Sequence, residues 1–475
     1  MDSKPLVVDL DGTLIKTDLL FESANSFIFQ YPLQVFRLPG WLGSGKSALK
    51  ACLANVSNID PALLPYNEKL IGWLREQKAQ GRRLVLATAS HRTLADIVAA
   101  YLGLFDEVLA TEGDSNLKSY QKRDRMLARY GERGFDYVGN DAGDISVWQS
   151  ADRAYVVSGS AKLIARVREN GNLEQVFSDE RERLFYALMR VARLQQWMKN
   201  LLIFVPLLAA HRYSDDASLV QVLLAFIVFG LTSSSVYVLN DLIDVADDRN
   251  HPAKKSRPLA AGDLSLLHGW LVWPVLLTVA FLLAIATLPA AFVAVLTAYF
   301  LLTLIYSLRL KQLVIVDVIT LAALYTQRVI AGAVVIDAPL SFWLLTFSMF
   351  IFLSLAFIKR FSELKMVRAN GRQGMLRGRG YIQEDIEIVS SMGTGAGYLA
   401  VLVLALYIQD GHTAELYQTP QIIWLACPLL LYWISRVWLI AHRGGMHDDP
   451  VVFAFKDRLS WVIGLLFFAV FALAR

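Results

Sequence analysis

The chain has 475 residues, 55% of them hydrophobic and 19% charged, with a formal net charge of +4. Soluble domains have about 45–50% apolar and about 25% charged residues, so this composition excludes an ordinary soluble enzyme and a disordered protein. The small net charge does not point to nucleic acid, and two cysteines, Cys52 and Cys427, cannot build a disulfide framework or a zinc site.

Residues 1–183 read like a soluble α/β protein. Met1-Asp2 leads straight into a strand pattern, so no signal peptide is expected. Residues 4–9 read as a buried parallel strand that ends in Asp9-Leu10-Asp11-Gly12-Thr13-Leu14. Two carboxylates then stand just past the strand's carboxyl end, where open α/β sheets bind ligands. One can serve as a nucleophile and the other as a general acid/base. A second strand, 83–87, ends in Thr88-Ala89-Ser90, and a third, 135–138, ends in Gly139-Asn140-Asp141-Ala142-Gly143-Asp144. Lys118 and Lys122 lie between them. The stretch from Gly40 to Ser47 matches the P-loop pattern. Its approach, Arg37-Leu38-Pro39, is not a hydrophobic strand, so it is read as a loop of a helical insertion.

These elements, in this order, resemble the haloacid dehalogenase (HAD) phosphatase superfamily over roughly residues 4–170. The resemblance implies a Rossmannoid parallel sheet in a domain of residues 1–177, with a helical cap at about 18–75. It implies Asp9 as the nucleophile and Asp11 as the acid that protonates the leaving oxygen. Thr88 would hydrogen-bond the phosphoryl group. Lys122 or Lys118 would offset its charge, Lys122 fitting the apolar pattern better. Mg²⁺ would be held by Asp9 and Asp144. The family usually has aspartate at position 140; here Asn140 stands there, leaving Asp141 as a stand-in ligand.

Residues 178–195 are charged with helical period and read as a linker or interfacial helix. From 196 onward come apolar runs of the length, about 20 residues, that crosses a bilayer core. Nine spans are expected, centred near 204, 230, 276, 298, 325, 349, 398, 430 and 466. The loops after the even-numbered spans carry the basic residues, among them Arg257, Lys311, Lys359, Arg360 and Arg443, whereas the opposite loops carry little beyond Arg212. The positive-inside rule then puts the basic loops, the N-terminal domain and both candidate sites on the cytoplasmic face of a bacterial-type inner membrane, and Arg475 outside.

Span 2 runs into Asn240-Asp241-Leu242-Ile243-Asp244-Val245-Ala246-Asp247-Asp248. Asp241, Asp244 and Asp248 share one helix face. Three carboxylates there repel one another unless a cation neutralises them, and oxygen ligands suit Mg²⁺. Ionisable residues at a membrane helix end mark a functional site. With Lys255-Ser256-Arg257-Pro258-Leu259, this motif resembles the UbiA superfamily of intramembrane prenyltransferases, over about residues 185–475. In that family the aspartates hold Mg²⁺ on a pyrophosphate. Its aromatic prenyltransferases carry a second motif, D-x-x-x-D, after span 6. This chain has Lys359-Arg360-Phe361-Ser362-Glu363-Leu364-Lys365 instead, then Arg368, Arg372, Arg377 and Arg379, then Tyr381 and Asp385. Basic side chains favour phosphate, which points to a phosphorylated second substrate.

That pattern looks like the decaprenyl-phosphate phosphoribosyltransferases among the UbiA relatives. Further matches are Arg193-x-x-Gln196-Trp197-x-Lys199-Asn200, Tyr306 to Lys311, Asp317 and Tyr325-x-x-Arg328. The generic family spacing is Y-x-x-x-K, and Lys311 lies one residue further from Tyr306. The cluster from His447-Asp448-Asp449-Pro450 to Asp457-Arg458 is given no role. The resemblance implies a bifunctional enzyme that uses phosphoribosyl pyrophosphate (PRPP), a polyprenyl phosphate and Mg²⁺. Its transferase site would draw on Asn240, Lys199, Asn200, Arg257, Tyr306, Lys311, Arg328, Lys359, Arg360 and Glu363, and the HAD domain would then remove the ribose 5-phosphate. Two alternatives stand beside it. One is an aromatic prenyltransferase fused to an independent phosphatase. The other is a transporter or sensor, which would show paired, Gly/Pro-broken spans. A homo-oligomer is left open.

Overall fold

The computed structural model describes residues 4–112, 119–178, 182–369, 379–409, 417–446 and 449–474. By its contacts the chain forms two compact units: Met1–Ala192 with Tyr237–Trp273, and Arg193–Val236 with Pro274–Arg475. The segment after span 2 therefore groups with the N-terminal residues, although it is distant from them in sequence.

The first unit is built on six parallel strands: β1 (Leu6–Val8), β2 (Leu84–His91), β3 (Glu107–Thr111), β4 (Asp136–Gly139), β5 (Ala154–Val157) and β6 (Leu173–Phe177). Their order is β3-β2-β1-β4-β5-β6. Val7 pairs with Val85 on one side and Tyr137 on the other, so β1 is central. Its Leu-Val-Val run is buried on both faces, as a covered parallel strand requires. Alternation sends Leu6, Val8, Leu84 and Leu86 into one core layer and Val7, Val85, Ala87 and Tyr137 into the other. The chain winds outward from β1 to β3, then returns to β4. That reversal is a topological switch point, and it lies where Asp9 and Asn140 leave their strands.

Helices α1 (Leu19–Gln30), α2 (Arg37–Gly43), α3 (Lys46–Val56) and α4 (Glu68–Ala79) are inserted between β1 and β2. Asp18 caps α1 by accepting from Leu20 N, and Asn67 caps α4 through Leu70 N. The P-loop match at Gly40–Ser47 falls on the end of α2 and the start of α3, with no strand before it. After the later strands come α5 (Arg92–Leu102), α6 (Tyr120–Tyr130), α7 (Ile145–Ser150), α8 (Ala161–Arg168) and α9 (Leu184–Val191).

In the second unit, α10 (Val205–Ala209) precedes the long helix α11 (Asp216–Ile243), whose last turns belong to the first unit. The loop segment carries α12 (Val245–Asn250) and α13 (Pro258–Ala261). Then follow α14 (Leu266–Thr287), α15 (Ala290–Leu308), α16 (Val316–Val335), α17 (Phe342–Ala369), α18 (Ile386–Ile408), α19 (Ala426–His442), α20 (Pro450–Lys456) and α21 (Arg458–Ala474). Among the described residues seven helices are long and apolar enough to cross a membrane, or eight if the pair Pro450–Lys456 and Arg458–Ala474, bent by 84°, makes one span. Leucines such as Leu282, Leu301 and Leu465 stand exposed on them, as lipid-facing positions do.

Nine spans were expected; the described residues show seven, or eight with the bent pair. Eight of the expected centres fall on these helices. The segment near residue 204 is a 3₁₀ helix, Leu194–Phe204, followed by the five-residue α10. Arg193 at φ 50° separates it from α9. A 3₁₀ helix rises about 2.0 Å per residue, so its 11 residues extend only about 22 Å, short of the bilayer core of about 30 Å, and α10 is a separate helix of five residues.

Candidate functional sites

Beyond β1 the chain turns through Asp9, Asp11 and Gly12. Gly12 has φ +76°, and a Cβ there would lie 2.3 Å from the Asn140 side chain, so only glycine fits. Lys122, from α6, places Nζ 2.6 Å from Asp9 Oδ1 and donates to the Tyr137 hydroxyl at 3.0 Å. That hydroxyl donates to Asp144 Oδ1 at 2.7 Å. Thr13 donates to Asp9 Oδ2. Asp11 accepts from the hydroxyls of Thr88 (3.0 Å) and Ser90 (2.7 Å) and from Leu19 N (2.9 Å). Asp144 Oδ2 accepts from the N–H groups of Asn140 and Asp141. Burial pushes the Asp9 carboxyl up to about 7, against the pull of Lys122. Burial would lower the Lys122 ammonium, but Asp9 and Asp144 outweigh it and hold it above its ordinary value.

Asp9, Asp11, Asp144, Thr88 and Lys122 are thus brought together. Lys118 lies outside the described residues. Asp141 spends its carboxylate on its own turn, accepting from Gly143 N at 2.5 Å. Thr88 gives its hydroxyl to Asp11. Two residues were missed: Ser90, two positions along β2 from Thr88, and Lys50, whose Nζ donates from α3 to Ala89 O at 2.6 Å. A Thr-x-Ser at a strand end was a usable signal for the first; a lysine inside a helical insertion gave none for the second.

The aspartate segment leaves α11 and enters α12 with Asp244 at the junction. Helical hydrogen bonds run through it, from Asp244 N to Asn240 O and from Asp248 N to Asp244 O. Asp241 and Asp248 are buried and share one cation, with Arg257 Nη1 3.1 Å from Asp241 Oδ1 and 2.5 Å from Asp248 Oδ2. Burial raises the Asp248 carboxyl, with Arg257 pulling it down. The Asn240 side-chain oxygen is buried without a hydrogen-bond partner among the described residues. No three acidic, imidazole or thiol side chains among the described residues converge as a metal cage. The two carboxylates that Arg257 joins nevertheless suit Mg²⁺, which takes one or two carboxylates and fills its octahedron with phosphate oxygens and water.

In the second unit, Lys199 and Asn200 come from the 3₁₀ helix, Tyr325 and Arg328 from α16, Lys359 from α17, and Asp449 from the turn before α20. Lys199 Nζ lies 2.7 Å from Asp449 Oδ2 and Lys359 Nζ 3.5 Å from it. The Tyr325 hydroxyl donates to the same carboxylate. Lys199 and Arg328 both lie over the Tyr325 ring, 5.7 and 5.6 Å from its centre. Against its burial, Lys199 and Lys359 hold the Asp449 carboxyl well below the usual carboxylate range. Arg328 is 4% exposed and among the described residues donates to neutral groups: Asn200 Oδ1, the Tyr299 hydroxyl and Leu324 O. Among the described residues no carboxylate pairs with it, and Asn200 Nδ2 is a buried donor without an acceptor. Lys199 and Lys359 share the one carboxylate of Asp449, and Arg328 meets Lys199 only across the Tyr325 ring; three cations with one carboxylate leave surplus positive charge in a largely buried site, and an anion there would offset the cost of burying it.

Arg360 was expected among the phosphate-holding residues, but each of its nitrogens is already engaged. It is fully buried, paired with Asp317 and Glu363, and donates to the Tyr306 hydroxyl. Tyr381 donates to Asp317 and accepts from Ile315 N. Ile315 has φ 67°, a strained value for a β-branched residue. Arg379 ties the Tyr306 hydroxyl to the Lys311 carbonyl oxygen. This network braces α15, α16 and α17. Arg372, Arg377, His447 and Asp448 lie outside the described residues. Asp449, which the sequence left without a role, proves to be the counter-ion of the basic site.

The model of the UbiA prenyltransferase family matches residues 201–461, more than half of the chain. The chain is 36% identical over 472 residues to the uncharacterized protein y4nM of Sinorhizobium fredii, covering 99% of this chain and 91% of that protein. It is 38% identical over 292 residues to nodulation protein NoeC of Azorhizobium caulinodans, covering 60% of this chain and 93% of that protein. Decaprenyl-phosphate phosphoribosyltransferase of Mycobacterium tuberculosis is 29% identical over 307 residues, 62% of this chain and 96% of that enzyme. A family match over most of the membrane helices, with a relative matched along almost the whole chain, assigns the protein: it belongs to the UbiA prenyltransferase family.

Proposed function

We propose that this protein transfers 5-phosphoribosyl from PRPP to a polyprenyl phosphate in the membrane, and that its N-terminal unit is a HAD-type phosphatase that removes the ribose 5-phosphate. The observation that carries the transferase reading is the buried cationic site of Lys199, Arg328 and Lys359 with one carboxylate, Asp449. An aromatic acceptor would not need that surplus charge, whereas a phosphorylated one would. The likeness to a decaprenyl-phosphate phosphoribosyltransferase supports the same choice.

Asn240, Asp241, Asp244 and Asp248 would hold Mg²⁺, which, where bound, supplies positive charge to the departing pyrophosphate. Arg257 lies on two of those carboxylates and would bear on the same phosphates. Arg328, Lys199 and Lys359 would hold the second phosphate group, with the free Asn200 amide as a further donor. A lipid phosphate oxygen then attacks the ribose C1, the bond from C1 to the pyrophosphate oxygen breaks, and pyrophosphate leaves with the bonding pair. Preorganised donors aimed at that charge are the main source of rate.

In the N-terminal unit Asp9 would attack the 5-phosphate and Asp11 would give its proton to the departing ribose oxygen. Water then hydrolyses the aspartyl-phosphate. Thr88 and Ser90 hold Asp11 in place, and Lys122 balances charge beside Asp9. Asp9, Asp11 and Asp144 around one lysine leave two negative charges, a donor set that suits a divalent cation with a phosphate. Residues 1–192 and 237–273 share one compact unit, so the chain leaves it at 193 and returns through α11. This supports a cytoplasmic position for the N-terminal domain together with the basic loops.

Purified protein with Mg²⁺, PRPP and a short polyprenyl phosphate is expected to release pyrophosphate only when both substrates are present. Release from a prenyl diphosphate and a phenolic acid, with none from PRPP, would replace this reading by the aromatic one.

A further inference from the structure

Helix α1 of the N-terminal unit buries two polar side chains that neither proposed reaction uses. Glu22 is 6% exposed and Asn25 3% exposed. Such groups are stable inside a protein only with partners, and here the partners belong to the aspartate segment and its flank. The Asn25 amide donates to Leu242 O at 2.9 Å, and its oxygen accepts from the Trp270 indole at 3.0 Å. Leu242 O is one of the last carbonyls of α11, which lack helical donors of their own. The Glu22 carboxylate takes both terminal nitrogens of Arg249, at 3.1 and 2.7 Å, while Arg249 Nε donates to Ala260 O. Phe29 stacks on Trp270 with ring centres 5.6 Å apart. Phe21 and Phe29 pack into the cluster of Leu242, Val245 and Leu259.

The two polar holds fall at matching places. Leu242 directly follows Asp241, and Arg249 directly follows Asp248. The same helix begins at Leu19, whose N–H binds Asp11. From Leu19 to Asn25 the helix rises only about 9 Å. A second contact runs beside it: Gly262, at φ +77°, lies so close to Lys16 that a Cβ would meet its Cβ at 2.7 Å.

We propose that α1 is the positioning element of the aspartate site, with Glu22 and Asn25 as positioning residues that fix the backbone after Asp241 and Asp248. The N-terminal unit thereby supports the transferase independently of its own hydrolysis. The inference rests on reading Asp241 and Asp248 as the Mg²⁺–pyrophosphate site, and the test separates the two. Hydrogen exchange is followed by mass spectrometry on the full chain in detergent, in wild type, Asn25→Ala, Glu22→Gln and Asp9→Asn. Mn²⁺ with pyrophosphate is titrated by electron paramagnetic resonance on the same samples. Asn25→Ala and Glu22→Gln are expected to speed exchange across residues 240–250 about tenfold and to weaken Mn²⁺–pyrophosphate binding several-fold, with the exchange of β1 and β2 unchanged. Asp9→Asn is expected to leave exchange across 240–250 as in wild type. Should either variant also lose protection in the sheet, Trp270→Phe, which removes the indole donor to Asn25 and keeps an aromatic ring beside Phe29, decides by the same exchange readout. Wild-type exchange at 240–250 in the folded variants overturns the proposal. Absence of Mn²⁺–pyrophosphate binding to wild type overturns the site reading and leaves the exchange result to judge α1.

Discussion

Replacing Arg328 by methionine should slow turnover about 10²–10³-fold and leave the protein no less stable. Arg328 is 4% exposed, its guanidinium donates to Asn200, Tyr299 and Leu324, and it has no carboxylate partner among the described residues. Burying an ion costs several kcal/mol even after relaxation, and methionine removes that cost at similar volume. The variant orphans the Asn200 oxygen, at about 1–3 kcal/mol, whereas the Tyr299 hydroxyl keeps Ser233 at 3.1 Å. The two effects leave Arg328→Met level with wild type or a little above it in the absence of substrate. Losing a preorganised donor on a charged transition state costs about 2.7–4 kcal/mol, or about 10²–10³ in rate. Thermal unfolding in detergent, run with and without a polyprenyl phosphate, reads stability and anion binding, and pyrophosphate release reads the rate. Wild type should be stabilised by the anion and Arg328→Met should not. A strongly destabilised variant, or one with turnover within tenfold of wild type, would refute the reasoning, because Arg328 would then be a structural strut.

Three further outcomes follow from the geometry. Arg360→Met should be strongly destabilising, by about 3–5 kcal/mol, because it leaves Asp317 buried without its cation; Lys359→Met, whose partner lies at 3.5 Å and whose side chain is 32% exposed, should unfold like wild type but turn over slowly. Equal melting points for the two variants would remove the distinction between scaffold and binding site. Asp18 caps α1, and burial with the Asp11 charge pushes its carboxyl from 3.8 up to about 6. A raised carboxyl contributes stability that is complete below about pH 4 and is lost as pH rises through about 6. Asp18→Asn keeps the cap acceptor and should remove that loss, at most ~3 kcal/mol and less with solvent screening; parallel pH–stability curves for both proteins between pH 4 and 7 would contradict it. Ser90→Ala should slow phosphate release while leaving ribosyl transfer intact, since among the described residues its hydroxyl bonds to Asp11 within the N-terminal unit; a loss of transfer in that variant would count against separate sites.

Much of this was legible because local chemistry wrote it. The Leu-Val-Val run before Asp9 could be only a buried strand, and the turns after β1 and β4 carry residues that a switch point brings together. The spacing of Asp241 and Asp248 pointed to a shared site for a metal cation, whereas the cation that the structure puts between them is the Arg257 side chain. What stayed hidden was tertiary. The 3₁₀ helix at 194–204 looks like a weak α-helical span, because hydropathy does not register rise per residue. Arg360 reads as a phosphate ligand until Asp317, 43 residues away, is seen to neutralise it. Asp449 lies in a loop whose charges resemble solvated ones, and only its meeting with Lys199, 250 residues distant, gives it a purpose. Glu22 and Asn25 gave no signal at all, since their partners lie more than 200 residues along the chain.

The most direct test weighs the lipid product. Wild type, Asp9→Asn and Asp241→Asn are each given PRPP, a short polyprenyl phosphate and Mg²⁺, and the extracted lipid is analysed by mass spectrometry. Polyprenyl-phosphoryl ribose is expected from wild type, its 5-phosphate from Asp9→Asn, and unmodified lipid from Asp241→Asn. No ribosylated lipid from wild type would contradict the transferase assignment, and a fully dephosphorylated product from Asp9→Asn would contradict the phosphatase.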